Sequence, residues 1–175
     1  MAEMNRKIVY LATSMDGFIA RKNGDIDWLE EDPSYDYYQE FIKNVGAILM
    51  GAATYEKVLS FGIGWPYPQQ MSYVFTHKKY HKDENNIKFV NQDVSSFMKE
   101  LQAITTDDVW VMGGSNLIDQ FLKERLVDEI IVGIQPIILG EGIPLFTVQD
   151  EIKLELTRVT SYERGTVQVH YNIIG

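Results

Sequence analysis

Glycines stand at two places in the sequence where an apolar run of strand-like composition is followed by a helix-like pattern. Gly51 ends the run 45–51, and Gly113 and Gly114 follow the run 109–112. Glycine has no Cβ atom to hold a ligand away from the backbone, and the first N–H groups of a helix are free to bind an anion. Each turn could therefore bind a phosphate group, although an ordinary strand-to-helix turn is the commoner explanation for either one alone.

The two turns together favour a ligand with two phosphate groups. Residues 115–117 would offer backbone N–H groups at one turn, and Thr54 would offer its hydroxyl group near the other. A third strand end carries Thr76, His77 and Lys78, whose hydroxyl and cationic groups could bind a ribose 2′-phosphate and so select NADP over NAD. A solvated polar strand end is the competing explanation for that third segment.

Composition excludes several other classes of site. The chain has 175 residues and a formal net charge of -9, which argues against nucleic acid as a partner because nucleic-acid binders usually carry a basic face. It contains no cysteine, so disulfides and thiolate catalysis are excluded. The three histidines, His77, His81 and His170, lack metal-ligand spacing, so no metal site is expected. No apolar run has the length of a membrane span, which predicts a cytoplasmic protein with no membrane partner.

The hydrophobic pattern alternates between strand and helix along the chain, after a long polar loop at 14–34. This alternation predicts a single α/β domain over residues 1–175, with a mainly parallel central sheet flanked by helices and a C-terminal antiparallel hairpin. Ligands of such sheets bind outside the carboxyl ends of the strands, where both glycine turns would lie. The predicted strands are 7–13, 45–51, 71–78, 86–91, 109–112, 128–140, 153–163 and 166–174. The predicted helices are 35–44, capped by Ser34, then 52–61, ended by Gly62, and finally 93–104 and 116–125.

Several segments of the chain, taken in order, resemble those of the dihydrofolate reductase-like superfamily. The resemblance is to its branch with the reductase domain of the bifunctional riboflavin-biosynthesis deaminase/reductase and small stand-alone relatives. It covers nearly the whole chain, and it implies NADPH-dependent hydride transfer to a small planar or heterocyclic substrate, pterin- or pyrimidine-like. It also implies a homodimer, for which the apolar segment 130–139 and the terminal hairpin are the candidate interface. The segments are ATSMDGFIA, DWL, ILMGAATYEKV, VFTHK, VWVMGGSNLIDQFL and VDEIIVGIQPIILGEGIPLF.

The resemblance also assigns residues to NADPH. The nicotinamide would contact the backbone of Ala12, and the nicotinamide ribose would border the segment 16–20. The two glycine turns would cradle the pyrophosphate, and the third strand end would flank the adenine ribose. The cofactor residues predicted in this way are Ala12, Asp16, Gly17, Ile19, Gly51, Ala52, Thr54, Thr76, His77, Lys78, Met112, Gly113, Gly114, Ser115, Asn116 and Leu117.

The chain departs from the family pattern at the substrate. Dihydrofolate reductases carry an acid on their first helix, and the nearest match here is Asp36, which is either the catalytic acid or an ordinary surface residue. The rival positions for that acid are Glu30, Glu31, Asp32 and Glu40. Gly133 stands where a threonine would support that acid, and Ala52 where an arginine would bind phosphate. These departures make folate itself a doubtful substrate. They leave a second hypothesis open, an NADP(H)-binding module without turnover.

Aromatic residues in the loops suggest a pocket for a flat molecule. Phe18 stands where the riboflavin branch has lysine or arginine, and Trp28, Trp65 and Tyr67 are further aromatic candidates. Packing of a lid over the cofactor explains the same residues equally well. Glu141, between two glycines, either lines the substrate side or faces solvent at a turn. Phe18, Trp28 and Glu141 are therefore the predicted substrate residues.

Overall fold

The computed structural model of the protein describes residues 5–79, 83–84 and 86–175. In this part of the chain the helices are α1 (Tyr37–Ile42), α2 (Ala52–Ser60), α3 (Val94–Gln102) and α4 (Ser115–Lys123). The strands are β1 (Lys7–Thr13), β2 (Phe18–Ala20), β3 (Val45–Gly51), β4 (Met71–Phe75), β5 (Ile87–Val90), β6 (Asp108–Gly113), β7 (Glu129–Ile134), β8 (Ile143–Pro144), β9 (Lys153–Ser161) and β10 (Val167–Ile174).

Eight strands form one sheet in the order β5-β4-β3-β6-β1-β7-β10-β9. Every neighbouring pair from β5 to β7 is parallel, whereas β10 runs antiparallel to both β7 and β9. This arrangement confirms the predicted α/β class, the mainly parallel sheet and the C-terminal hairpin. Because the six parallel strands share one direction, their carboxyl ends meet at one edge of the sheet.

The central strands of the sheet are buried on both faces, and alternate residues of each strand point to opposite sides. Leu49 and Val111 belong to the hydrophobic cluster that includes the apolar residues of α3 and α4. Their neighbours Ile48 and Trp110 belong to the second cluster, with Phe41 of α1. The two helix layers therefore hold the central strands in place from both sides. No helix of the described residues is long and apolar enough to cross a membrane.

Several predicted boundaries are wrong. Helix α1 begins at Tyr37, and Ser34 does not cap it: its hydroxyl donates to Asp32 Oδ1 at 2.6 Å and accepts from the Glu163 N–H at 3.1 Å. Strand β4 stops at Phe75, and β7 stops at Ile134. The strand predicted to continue to residue 140 ends at Ile134 because both of its ladders end there, in the pairs with Thr13 of β1 and Val167 of β10.

The C-terminal end of α2 follows the prediction. Ser60 is the last helical residue and Phe61 the C-cap, while Gly62 has a φ of +68°. The Gly62 N–H donates to the Leu59 carbonyl at 3.2 Å. Glycine adopts this left-handed conformation without a Cβ clash, which explains why the helix ends there.

The prediction of a loop over residues 14–34 missed strand β2, which forms half of a short two-stranded ribbon. Strand β2 pairs antiparallel with β8, with Phe18 opposite Pro144 and Ala20 opposite Ile143. The two segments are far apart in the sequence, and each is too short to show a periodic pattern. The ribbon connects the loop after β1 to the loop after β7.

Candidate cofactor-binding site

The two glycine turns meet at the carboxyl edge of the sheet. Strands β3 and β6 are neighbours, and Met50 is paired in register with Gly113. A Cβ atom built on Gly51 would lie 3.9 Å from both the Gly113 carbonyl oxygen and the Gly114 nitrogen. A Cβ atom on Gly114 would lie 3.8 Å from Thr54 Oγ1. The turns therefore form one continuous surface, in which the Gly113–Gly114 peptide bond is cis.

Helices α2 and α4 begin at these turns without a capping side chain. Their N-cap residues are Gly51 and Gly114, and neither helix has an acidic residue in its first turn. Helix α3, which begins elsewhere, is capped by Asp93, whose carboxylate accepts from the Ser96 N–H at 2.8 Å. The first N–H groups of α2 and α4 thus keep their capacity to bind an anion, and the helix dipoles favour one there.

A cavity of about 1030 Å³ lies along this edge of the sheet. It is lined by the carboxyl ends of the strands and by residues of α2 and α4. Most of the predicted cofactor residues are brought together on its wall. They are Ala12, Ile19, Gly51, Ala52, Thr54, Thr76, His77, Met112, Gly114, Ser115, Asn116 and Leu117.

The predicted 2′-phosphate segment reaches the cavity only in part. Thr76 and His77 line it, and His77 Nδ1 lies 3.0 Å from the side-chain oxygen of Asn91 at the end of β5. Lys78 is exposed and does not line the cavity, although its N–H donates to Thr76 Oγ1 at 3.1 Å. Lys57 of α2 does line it, with Nζ 3.0 Å from an Asp25 carboxylate oxygen. His81 lies outside the described residues.

The sequence did not indicate Lys57 or Asn91 as site residues. Lys57 is on a helix and Asn91 follows the short strand β5. The position of Asn91 could have been found from the rule that ligands bind at strand ends, since β5 lies beside β4. Nothing in the local pattern around Lys57 marks it, because exposed helix faces carry lysine in most proteins.

Comparison with known proteins agrees with this geometry. The model of the RibD C-terminal domain family matches residues 7–168. YwjB of Bacillus subtilis (strain 168) is 35% identical over 172 residues, which cover 96% of this chain and 98% of YwjB. The chain belongs to the RibD C-terminal domain family.

Solved structures show the same fold. A Shewanella sp. PV-4 protein named for riboflavin biosynthesis has a TM-score of 0.87 and 28% identity, covering 97% of this chain and 99% of that protein. Dihydrofolate reductase from Enterococcus faecalis, complexed with NADP(H) and RAB-propyl, has a TM-score of 0.72 at 13% identity, with 97% of each chain covered. The second likeness establishes the dihydrofolate reductase-like fold and nothing further.

The residues predicted to contact substrate do not line the cavity of this RibD C-terminal domain. Phe18 lies in the β2–β8 ribbon, and Trp28 is buried with no hydrogen-bond partner for its indole N–H among the described residues. Glu141 forms an ion pair with Lys22 at 2.9 Å, and both side chains are exposed. These positions favour the alternative explanations, packing in the loop and a solvent-facing turn.

Asp36, the candidate catalytic acid, is also absent from the cavity wall. It is exposed and occupies the N-cap position of α1. Its side chain accepts no capping hydrogen bond there. The position is that of an ordinary surface residue.

An aromatic wall closes the cavity on the α1 side of the sheet. It consists of Tyr10, Tyr67 and Trp110, and the Trp110 indole N–H donates to the Tyr10 carbonyl at 2.9 Å. The rings of Tyr67 and Trp110 are 5.7 Å apart and nearly perpendicular. Burial raises the pKa of Tyr67 to about 12, so the wall stays neutral at physiological pH. The sequence pattern did not indicate Tyr10 and Trp110 as site residues, because they lie within apolar strands that are typical of a protein core.

Asp16, predicted to border the nicotinamide ribose, instead connects two loops. Its carboxylate accepts from the Ser14 hydroxyl at 2.6 Å and from the N–H groups of Leu139 and Gly140 at 3.1 and 2.8 Å. Like Gly17, Gly113 and Lys78, it does not line the cavity. The hydrogen bonds from Ser14 and from the two backbone groups hold the pKa of Asp16 below its ordinary value.

We expect Asp16→Ala to accelerate hydrogen exchange at the amides of Leu139 and Gly140, because the substitution removes their acceptor. Exchange measured by NMR checks this. Glu141→Ala is the control, since Glu141 is in the same loop but pairs with an exposed lysine. Equal protection of the two amides in the wild type and in Asp16→Ala would contradict the assignment.

The hydrogen bonds from the Leu139 and Gly140 N–H groups to Asp16 should depend on pH. Because the pKa of Asp16 is lowered in the folded protein, its stabilising effect is present above the ordinary value of 3.8 and is lost as the pH falls through the lowered pKa. Protection of Leu139 and Gly140, corrected for intrinsic exchange, should therefore decrease only below pH 3.8. A loss of protection at neutral pH would identify another titrating group.

Proposed function

We propose that this RibD C-terminal domain is an NADPH-dependent reductase that transfers a hydride to a small planar or heterocyclic substrate. The proposal depends on one observation: two uncapped helix N-termini with glycine turns meet in one cavity at the carboxyl edge of a parallel sheet. Dinucleotide-binding sites of α/β proteins hold the pyrophosphate at a helix N-terminus that follows a glycine turn at a strand end. The cavity volume of about 1030 Å³ is at the upper end for small-molecule sites.

The lining residues suit the parts of NADPH. The turns at Gly51 and Gly114 would hold the pyrophosphate, because their backbone N–H groups are free and no Cβ atom intervenes. Ala12 and Ile19 would border the nicotinamide, and Thr76 and His77 the adenine ribose. When bound, NADPH supplies the hydride. The protein then has to orient the substrate against the nicotinamide and exclude water.

A second candidate function is an NADP(H)-binding module without turnover. It is favoured by the exposure of Asp36, which leaves helix α1 without a carboxylate on the cavity wall. Oxidation of NADPH, followed at 340 nm with a panel of pterins, pyrimidines, flavins and quinones, distinguishes the two. Turnover with any of these substrates excludes the binding module, whereas NADPH binding without turnover favours it.

We further propose that the domain forms a homodimer through the outer strand β9. Leu156 and Val159 on this edge strand are 52% and 54% exposed, although both are apolar. Half of the other expected contributor, segment 130–139, lies within the inner strand β7, whose residues are almost all buried in the same chain, whereas Ile138 beyond the strand is 73% exposed. The hairpin therefore supports the proposal, and β7 does not.

We expect Gly114→Ala to weaken NADPH binding at least about tenfold, or ~1.4 kcal/mol. Gly114 has a φ of -73°, and an added Cβ atom meets nothing closer than Thr54 Oγ1 at 3.8 Å, so the fold accommodates alanine while the methyl group occupies the glycine turn. Tryptophan fluorescence titration measures the affinity. Gln102→Ala is the control, because Gln102 is exposed at the end of α3 and does not line the cavity.

Two outcomes would contradict this part of the proposal. The first is equal NADPH affinity of the wild type and Gly114→Ala, with unfolding transitions that coincide. The second is a wild-type protein that shows saturable binding of neither NADPH nor NADH.

We expect His77→Ala to lower the affinity for NADPH more than the affinity for NADH, since His77 lies on the cavity at the predicted 2′-phosphate position. Calorimetric titration with both nucleotides measures the ratio. Lys78→Ala is the neighbouring control and should change the ratio little, because Lys78 does not line the cavity. Equal losses for both nucleotides in His77→Ala would show that the 2′-phosphate lies elsewhere.

We expect Leu156→Lys combined with Val159→Lys to shift the protein from dimer to monomer, because two charges would be buried in the proposed interface. Light scattering coupled to gel filtration measures the mass. Ile63→Lys is the control, since Ile63 is 73% exposed and lies outside the β9–β10 hairpin. A monomeric wild type would overturn the dimer proposal and leave the reductase proposal untouched.

A further inference from the structure

A chain of neutral hydrogen-bonding groups begins at the aromatic wall of the cavity. The hydroxyl of Tyr10 is hydrogen-bonded to the hydroxyl of Tyr35. The Tyr35 oxygen accepts from Gln168 Nε2 at 2.8 Å, and Gln168 Oε1 accepts from the Tyr162 hydroxyl at 3.1 Å. Gln168 is completely buried, and Tyr10 is the member of the chain that lines the cavity.

The number of hydroxyl protons shows that one of them is free. Tyr10 and Tyr35 have one hydroxyl proton each, and they share a single hydrogen bond in which either oxygen can be the donor. One of the two protons therefore has no acceptor within residues 5–79, 83–84 and 86–175. When Tyr35 donates to Tyr10, the free proton belongs to Tyr10, the residue of the pair that lines the proposed substrate site.

The donor is also neutral. Burial raises the pKa of Tyr10 far above its ordinary value, and it raises the pKa of Tyr35 to about 12. Both hydroxyl groups therefore keep their protons throughout the physiological range. A group in this state donates a hydrogen bond to a lone pair, whereas a carboxylate would accept hydrogen bonds from N–H groups.

The hydroxyl pair lies where a small residue leaves space in the sheet. Gly133 is the register partner of Ala12, and a Cβ atom on Gly133 would lie 3.7 Å from the Tyr35 hydroxyl oxygen. The pair therefore sits beside the β1–β7 junction, next to the strand end proposed for the nicotinamide. A substrate ring stacked near the nicotinamide would meet Tyr10.

We propose that Tyr10 selects planar rings that present a carbonyl oxygen, and that Tyr35 and Gln168 position its hydroxyl group. This inference rests on the proposed reductase function, and it narrows the substrate to heterocyclic or quinone-like carbonyl compounds. The hydrogen bond would also draw electron density from the ring, which favours arrival of a hydride. The proton stays on Tyr10 in this role, and the proton that the ring takes up after the hydride comes from water.

Two probe rings of equal shape test the inference. Pteridine-2,4-dione carries two carbonyl groups and has N–H groups at ring positions 1 and 3, where 2,4-diaminopteridine carries two amino groups and bare ring nitrogens. We expect the protein saturated with NADP+ to bind the dione more tightly than the diamine, measured by calorimetry. Tyr10→Phe should weaken binding of the dione about tenfold and binding of the diamine less, because it removes one hydrogen bond to a carbonyl oxygen, and the amino group at the same place in the diamine is itself a donor.

Two further variants separate positioning from packing. Tyr35→Phe should weaken dione binding less than Tyr10→Phe does, since the Tyr10 donor is retained but no longer held in place. Tyr38→Phe is the matched control: its ring packs against Trp110 in the same cluster, and it does not line the cavity. Tyr38→Phe should leave the dione-to-diamine ratio unchanged. A merely structural role of Tyr10 would lower the affinity for both rings equally.

Three results would overturn the inference. They are a wild-type protein that binds the diamine more tightly, an equal loss of affinity for both rings in Tyr10→Phe, and a wild-type protein that binds neither ring. The titrations are repeated without nucleotide so that the two proposals fail separately. Absence of NADPH binding with a Tyr10-dependent preference for the dione would overturn the reductase and retain ring selection. NADPH binding together with a ring preference that does not depend on Tyr10 would overturn ring selection by Tyr10 and retain the reductase proposal.

Discussion

The parallel pairing of β3 with β6 is the interaction on which the candidate site depends. It places Met50 beside Gly113, and so brings two helix N-termini that are distant in the sequence to one point on the sheet edge. Each turn alone could be a simple connection. Side by side, with no capping side chain on either helix, they form a surface of free N–H groups that suits a diphosphate.

The cavity combines two different environments. At the glycine turns, the helix dipoles favour negative charge, even though the whole protein carries a formal net charge of -9. At the aromatic wall, Tyr10 and Tyr67 stay neutral because burial disfavours their charged forms. An anionic cofactor and a neutral ring can thus occupy the same cavity, each in surroundings that match its charge.

Tyr10 and its neighbour on β1 show how one strand serves both the core and the site. Val9 packs toward α3 and α4, whereas Tyr10 packs toward α1, lines the cavity and shares a hydrogen bond between its hydroxyl group and that of Tyr35. The loop after β1 has a separate role. It is connected through Asp16 to the backbone at Leu139 and Gly140, so its conformation is coupled to the segment after β7, and Ile19 of the same loop lines the cavity.

The sequence by itself determined the α/β class, the order of the main strands and helices and the presence of two phosphate-friendly turns. Hydrophobic periodicity and glycine at strand ends are local properties, and they can be read without knowing what packs against them. Other features were decided only by the tertiary structure: the β2–β8 ribbon, the absence of Lys78 and Asp36 from the cavity, and the meeting of Tyr10, Tyr35 and Gln168. These features require contacts between residues far apart along the chain, and a side chain's hydrogen-bond partners leave no periodic trace in its own segment.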